Sequence, residues 1–416
     1  MIYVHVPFCR SFCTYCGFYS EVAPKCGSAE DVLRQEALFA EYSKAVEAEI
    51  RTRKDDIERV SASGGADTLY IGGGTPSVLP LHVFERILSS LGRIGFEEFT
   101  VEVNPEDIVE KGVEYVKGLL KLGVTRISMG VQSFDDRMLK WMNRRHTVSQ
   151  AVEAYRILEE AGVRNISVDL IFGLPDMDEV LWRETIDKVL GMSSQGVLPR
   201  HISAYQLSVE DGSALEKMIS DGKCVEASED ECRRQYDILC ETLGKAGYNH
   251  YEISNFALPG YEAVHNSAYW RHVPYIGLGP GAHSYLVRED DASENSGTRL
   301  QHEETGGMLW REVCGTRKRQ WNAPDIDAYV RAGRDGDFAA VQGGETLVPE
   351  QIVLEKVMLG LRTAAGVPED YLRTHCGGRA LEEALRCGNL VVLDDGFVRI
   401  PEDRFFISDS IISSII

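Results

Sequence analysis

Three cysteines, Cys9, Cys13 and Cys16, fall within the run VHVPFCRSFCTYCGFYS near the start of the sequence. The C-x-x-x-C-x-x-C spacing gathers three soft thiolate donors in one short loop, a set suited to zinc or to an iron–sulfur cluster. A structural zinc site closes on four ligands. No second CxxC and no nearby HxxxH completes such a set, and Cys26 is the only other cysteine close by. A four-iron cubane held by three cysteines instead keeps one iron open, which is useful only where something other than protein must bind metal. Three buried thiols, or zinc completed from afar, form the competing account.

Further polar residues stand where apolar runs end. Gly73-Gly74-Thr75-Pro76 follows ADTLYIG; glycines let a backbone approach a ligand closely, though a tight turn uses the same residues. Glu102 lies in TVEVNP on the face opposite Val101 and Val103, Gln132 ends RISMGVQS, and Asp169 interrupts VDLIFG. A carboxylate in such a run is rarely buried without a partner. Taken singly, each is equally a core polar group or a strand-end cap. Together, on successive strands, they favour one polar ligand pocket. His265, Tyr269 and Trp270 form a second group, in HNSAYW. An imidazole is a good axial ligand for haem iron and flat rings stack on a porphyrin, yet a histidine beside Tyr and Trp is more often a packing residue. The glycine-rich turn from Gly277 to His283 either lines the same cavity or only turns the chain.

The elements that must carry these residues alternate strictly. IYVHVPF, ADTLYIG, FTVEVNP, RISMGVQS, NISVDLIFG and HISAYQLSV read as strands, with helical stretches after them, among them residues 30–54, LHVFERILSSL, GVEYVKGLLKLG closed by Gly123, and SQAVEAYRILEEAG. Six strand–helix units in order predict an α/β fold with a parallel sheet, either doubly wound or a complete or partial barrel. From about residue 246 the rhythm changes, which suggests a core domain over 1–245 and a smaller one over 246–416. Residues 288–307 are polar and read as a loop. Beyond them come several short helices and a closing hairpin in LVVLDDGFVRI, resembling a winged-helix unit. In the tail, Ile411, Ile412, Ile415 and Ile416 have helical spacing after a Ser408 cap, which predicts packing on the C-terminal unit, with a peripheral membrane contact as the minor reading.

The 416 residues carry a net charge of −21, which disfavours a winged-helix nucleic-acid binder despite the local run Arg317-Lys318-Arg319. No targeting signal or membrane-length apolar run is visible, so the cytoplasm is expected and the ten cysteines read as thiols or ligands. Cys224, Cys232, Cys240, Cys314, Cys376 and Cys387 show no ligand spacing and read as small apolar side chains.

The cysteine motif resembles that of radical S-adenosylmethionine (SAM) enzymes. The resemblance implies a [4Fe-4S] cluster on Cys9, Cys13 and Cys16 whose open iron chelates SAM, in a partial (β/α)6 barrel with the cluster loop after the first strand. YVHVPFC, the cysteine triplet, GGGTP, VEVNP, GVQS and VDLIFGLP, together with the helical C-terminal unit, are most similar to the oxygen-independent coproporphyrinogen III oxidase group and to the HemW-type haem chaperones. That likeness implies that Tyr3 and Tyr15 flank the cluster and SAM, and that Gly73, Gly74 and Thr75 meet the methionine amino end. It also implies that Glu102 lies nearby, that Arg144 pairs with the carboxylate, and that Gln132 and Asp169 hold the ribose hydroxyls. A guanidinium fits a carboxylate bidentately, although Arg144 also reads as a surface residue of the run Arg144-Arg145-His146.

Two departures separate the relatives. The oxidase pattern has a further cysteine where this sequence has Phe18, and it extends upstream of the first strand, whereas this sequence begins two residues before Tyr3. Both point towards the chaperones, as does the match of HNSAYW to their HNxxYW signature, which implies haem at His265, Tyr269 and Trp270. The implied role is haem binding and delivery to respiratory acceptor proteins, with an electron donor for the cluster. The alternative is oxidative decarboxylation of coproporphyrinogen, or another hydrogen abstraction.

Overall fold

Every second residue of the first six strands is apolar and points away from the residues between. In the computed structural model, which describes residues 1–24, 27–93, 95–196, 198–288, 310 and 316–416, that alternation builds the barrel. Cys26, Cys314 and nearly all of the polar segment 288–307 lie outside the described residues. The strands are β1 (Ile2–Val6), β2 (Thr68–Gly73), β3 (Glu98–Val103), β4 (Arg126–Gln132), β5 (Ile166–Phe172) and β6 (His201–Gln206), paired in parallel in that order. Leu69, Ile71, Phe99, Val101, Ile127 and Met129 are fully buried on one phase. The opposite phase carries Tyr70, Glu102, Ser128, Asp169 and Ser203. The register sets Glu102 beside Ser128, Gly130 beside Asp169, and Asp169 beside Ser203. A one-residue slip in any pair would turn these polar side chains into the helix layer.

The crossover helices are locally specified. In Val148–Ala161, Thr147 and Gln150 form a capping box, Ala151, Ala154, Tyr155 and Leu158 make the buried stripe, and Gly162 closes the helix at φ 96°. The long stretch expected over 30–54 is Ala29–Thr52, with a second helix over Lys54–Ala62.

The sheet does not stop at residue 245. Among the described residues, the strands β7 (Asn249–Glu252), β8 (Asn255–Ala257) and β9 (Ile276–Leu278) extend it to nine, in the order β9-β1-β2-β3-β4-β5-β6-β8-β7. β9 runs parallel to β1, and β8 antiparallel to β6. The change of rhythm near 246 is therefore a change from parallel crossovers to edge strands, not the end of the sheet.

A three-stranded antiparallel sheet then follows, β10 (His283–Arg288), β11 (Thr316–Asn322) and β12 (Gln342–Thr346). Within it Arg317 is buried and donates to the Tyr285 hydroxyl at 2.6 Å, and Arg319 pairs with Glu345 and Glu355. The basic run is thus largely spent on internal partners. The winged unit is present: helices Pro349–Gly360, Glu369–His375 and Gly378–Arg386, and the hairpin Val391–Val392 with Phe397–Arg399, joined by Val367–Pro368. The tail helix Ser408–Ile415 buries Ile411, Ile412 and Ile415, while Ile416 stays exposed. Ser408 lies inside this helix and Ile407 holds the cap position without a side-chain bond, which corrects the expected serine cap.

Glu49 ties the first helix to these later segments. Its carboxylate is fully buried and accepts from Arg53 Nη1 (3.1 Å), Asn322 Nδ2 (2.9 Å), the Gly279 amide (2.9 Å) and the Tyr329 hydroxyl (2.6 Å).

Candidate functional site

A cavity of about 720 Å³ opens at the C-terminal ends of the parallel strands, where barrel folds place their chemistry. The cysteine loop forms its rim. It leaves β1, pairs Phe8–Cys9 with Glu21–Val22, and is pinned across the opening. Thr14 donates from its amide to Met142 O (3.1 Å) and from Oγ1 to Trp141 O (2.8 Å), while Asn143 Nδ2 donates to Phe12 O (2.6 Å). Cys9, Cys13, Tyr15 and Cys16 all line the cavity.

Each of two thiols has a neutral or cationic donor against it. Thr75 Oγ1 lies 3.4 Å from Cys9 Sγ, and Arg144 Nη1 lies 3.4 Å from Cys13 Sγ. Asn104 links the two donors, giving Nδ2 to Thr75 Oγ1 (3.2 Å) and receiving Arg144 Nη2 at Oδ1 (2.7 Å). Arg144 Nη2 also donates to Gly130 O at 2.7 Å. A Cβ at Gly130 would stand 2.9 Å from Gln132 Nε2 and 3.3 Å from Arg144 Nη2, so a larger residue would displace these side-chain ends. Arg144 is therefore a part-buried wall residue of the cavity, and its neighbour Arg145, which also lines it, is exposed. Burial, against weaker help from backbone hydrogen bonding, pushes the Cys16 thiol up to about 11 in the bare loop. Bound iron would have to displace that proton, as metal sites on thiols generally do.

Glu102 reaches the cavity from β3. Tyr70 donates to Oε1 at 2.7 Å and the Gly73 amide to Oε2 at 3.0 Å. Burial nevertheless lifts its carboxyl to about 7, so it changes charge near neutrality. The amides of Gly74 and Thr75 are taken by Val6 O (2.8 Å) and Phe8 O (2.7 Å). The GGGTP turn thus offers a ligand acceptors rather than donors. Asp169 is held by Ser128 Oγ at 3.0 and 3.1 Å and by Ser167 Oγ at 3.3 Å; burial raises its carboxyl, opposed by Arg126 and the serine hydroxyls. Gln132 sits on a bulge in β4 with φ 69°. A non-glycine residue there is strained, and bulges beside active sites re-aim a side chain. Gln132, Glu102 and Asp169 all line the cavity.

Tyr70, Asn104, Ser128 and Ser203 also line the cavity, and with Ser167 they hold its polar side chains; the sequence reading passed over them. The serines had a legible signal: Ile-Ser recurs as Ile127-Ser128, Ile166-Ser167 and Ile202-Ser203, once in each of three successive strands. Asn104 is the last residue of VEVN before the proline that starts a helix.

Four expected residues, Tyr3, His265, Tyr269 and Trp270, are not among those that line the cavity. Tyr3 faces inward below it, with its hydroxyl 2.9 Å from His5 Nδ1 and its ring 6.1 Å from Tyr70. His265 and Tyr269 lie on the helix Val264–Trp270, whose first amides are held by Glu98 at the base of β3. His265 is 1% exposed, with Nδ1 2.7 Å from Thr68 Oγ1 and Nε2 3.1 Å from the Tyr269 hydroxyl. Its ring packs on Tyr70 and Tyr269, and burial drives it down to about 3, so it is neutral. Both ring nitrogens expected to offer an axial ligand are engaged here, by Thr68 and Tyr269 in the barrel floor. Trp270 is half-buried at the end of the same helix, and Asn266 is the member of the HNSAYW run that lines the cavity.

Comparison with known proteins agrees with this architecture. Residues 3–189 match the Radical SAM superfamily model. The chain is 36% identical to the protein named heme chaperone HemW of Lactococcus lactis, over 68% of this chain and 69% of that one. It is 31% identical to the HemW of Synechocystis, over 88% and 78%. The solved structure of Escherichia coli coproporphyrinogen III oxidase (HemN), described as a radical SAM enzyme, superposes with a TM-score of 0.71 over 99% of this chain and 89% of that one; at 19% identity it establishes the fold alone.

Proposed function

The chain belongs to the radical SAM superfamily and, within it, to the HemW haem chaperones, and from that membership we propose that it binds a [4Fe-4S] cluster, SAM and haem and passes the haem to acceptor proteins of respiration. The observation that carries the cluster and SAM reading is the cavity itself: three thiols on its rim, and Glu102, Gln132 and Asp169 on its wall. Cys9, Cys13 and Cys16 would hold the cluster, which when bound supplies an electron from an external donor. Arg144 would orient the SAM carboxylate while remaining fixed by Asn104 and Gly130. Glu102 and the carbonyls of the glycine turn would accept from its ammonium, and ionised Glu102 is the better acceptor. Asp169, steadied by its serines, would take the ribose hydroxyls, with Gln132 beside it. The haem reading rests on the relatives' names and is not routed through His265. Among the described residues no helix is long and apolar enough to cross a membrane.

Asp169→Asn keeps the side-chain volume and removes the charge. A charged hydrogen bond is worth roughly 1.5–3 kcal/mol, so SAM affinity measured by calorimetry on the cluster-loaded protein falls at least about tenfold. Unchanged affinity would move SAM away from this wall. His265→Ala leaves Thr68 and Tyr269 without a partner and lowers stability by about 1–3 kcal/mol, while a haem titration followed at the Soret band is unaffected. Loss of haem with unchanged melting would return the histidine to a ligand role. The function as a whole is tested by anaerobic reconstitution followed by parallel assays of haem binding and coproporphyrinogen conversion. Saturable haem without conversion is expected; steady conversion would place the chain among the oxidases.

A further inference from the structure

Away from the cavity, three side chains from distant parts of the sequence bring ligand atoms together. Cys240 lies on the helix Glu229–Lys245, His250 on β7, and Glu402 on the turn Glu402–Ile407 that follows the wing. His250 Nδ1 is 3.8 Å from Cys240 Sγ and 3.2 Å from Glu402 Oε1, and the three ligand atoms all lie within 4.8 Å of one another. A tetrahedral site with Zn–S of about 2.3 Å and Zn–N and Zn–O of about 2.0 Å has edges of roughly 3.5 Å for S···N and roughly 3.3 Å for N···O. The two measured edges are close to both.

The far side of the imidazole is arranged to suit. Nε2 faces Ile253 O at 3.4 Å and the Tyr236 hydroxyl at 3.2 Å, and that hydroxyl itself donates to Ile253 O at 2.7 Å. A proton on Nε2 directed at this pair leaves the Nδ1 lone pair aimed at Cys240 and Glu402. Such a second partner is what fixes the tautomer of a metal-bound histidine. The ring is held between Phe256, stacked at 4.1 Å, and the edge of Phe405 at 5.0 Å, so little freedom is lost on ligation. His250 is buried while the Glu402 side chain is 56% exposed, which gives an ion a way in.

We propose that Cys240, His250 and Glu402 bind one zinc-class divalent cation, with water in the fourth position. The thiolate selects against magnesium and calcium, and a three-ligand tetrahedral edge suits zinc. The ion joins the segment around β7 to the C-terminal unit and stabilises that junction, since it binds the folded state only. This site is independent of the cysteine loop and of haem.

Cobalt(II) is the probe, added to the full-length, cluster-loaded protein so that the loop thiols are already occupied. The expected result is a single cobalt ion per chain with a thiolate-to-cobalt charge-transfer band, displaced by Zn²⁺. Cys240→Ser removes the band. Loss of an outer partner alone typically weakens a metal site about 10–100-fold, so loss of the thiolate ligand weakens binding by more than about 100-fold. Glu402→Gln, at an exposed position that leaves folding intact, weakens binding by at least about tenfold and reduces the rise in melting temperature that a fixed Zn²⁺ concentration produces. Retention of the band in Cys240→Ser, or no saturable cobalt binding by the unaltered chain, would overturn the proposal.

Discussion

Replacing Cys13 by alanine is expected to leave the anaerobically reconstituted protein without its iron–sulfur absorption, and the iron content falls to background. The three rim cysteines lie in one pinned loop, and each would supply one of the three thiolates that hold the cubane. With one removed, an iron that has no protein ligand adds to the iron left open for SAM. Arg144, whose Nη1 sits 3.4 Å from Cys13 Sγ, also loses the neighbour it faces across the cavity. The same loss is expected for Cys9→Ala and Cys16→Ala. Cys232→Ala is the control: Cys232 is buried on the helix Glu229–Lys245 and does not line the cavity, so the iron load is retained. Iron analysis with visible spectra decides the matter. A full iron load in any of the three rim variants would remove that cysteine from the ligand set.

Glu49→Ala is expected to destabilise the fold by about 3–5 kcal/mol, the range for removing one partner of a buried ion pair. Arg53 is 6% exposed and would keep its charge with its carboxylate partner gone, although Gly277 O and Ser284 Oγ remain as acceptors at 2.8 and 3.0 Å. Three further donors, from Gly279, Asn322 and Tyr329, would lose their acceptor together. These donors come from the edge of the barrel sheet and from the segment beyond it, so the damage falls on the junction between first helix and last barrel strand. Glu49→Gln keeps one acceptor oxygen and is expected to lose less than the alanine variant. Urea unfolding followed by tryptophan fluorescence measures both. A loss below about 1 kcal/mol for Glu49→Ala, the scale of an exposed pair, would mean that the network does not hold this junction.

The barrel was legible because its strands write their two faces separately. Valine, isoleucine and leucine alternate with Glu102, Ser128 and Asp169, the pattern of a strand with one apolar and one polar face, and the helices between the strands make that sheet parallel. The cysteine loop stood out by the spacing of Cys9, Cys13 and Cys16. What escaped depends on partners far away in sequence. β11 reads as TRKRQWN, a charged stretch without a clean period, and it becomes a strand because β10 and β12 flank it. Cys240, His250 and Glu402 share no local spacing, so no motif could announce them. His265 stood in a family signature that implies a haem ligand, but the partners of its two nitrogens, Thr68 from a distant strand and Tyr269 one turn further on, show only in the fold. Gln132 stood in a recognisable motif, but the bulge that aims it arises only from the register of β4 on β5.

The proposed function requires SAM to bind in the cavity at an iron that Cys9, Cys13 and Cys16 would leave open. Electron paramagnetic resonance of the reduced, reconstituted protein, recorded with and without SAM, tests it most directly. A cluster signal that shifts on adding SAM, and that shifts only at much higher SAM concentration in Asp169→Asn, is the predicted result. A fully loaded cluster whose signal is indifferent to saturating SAM would contradict it.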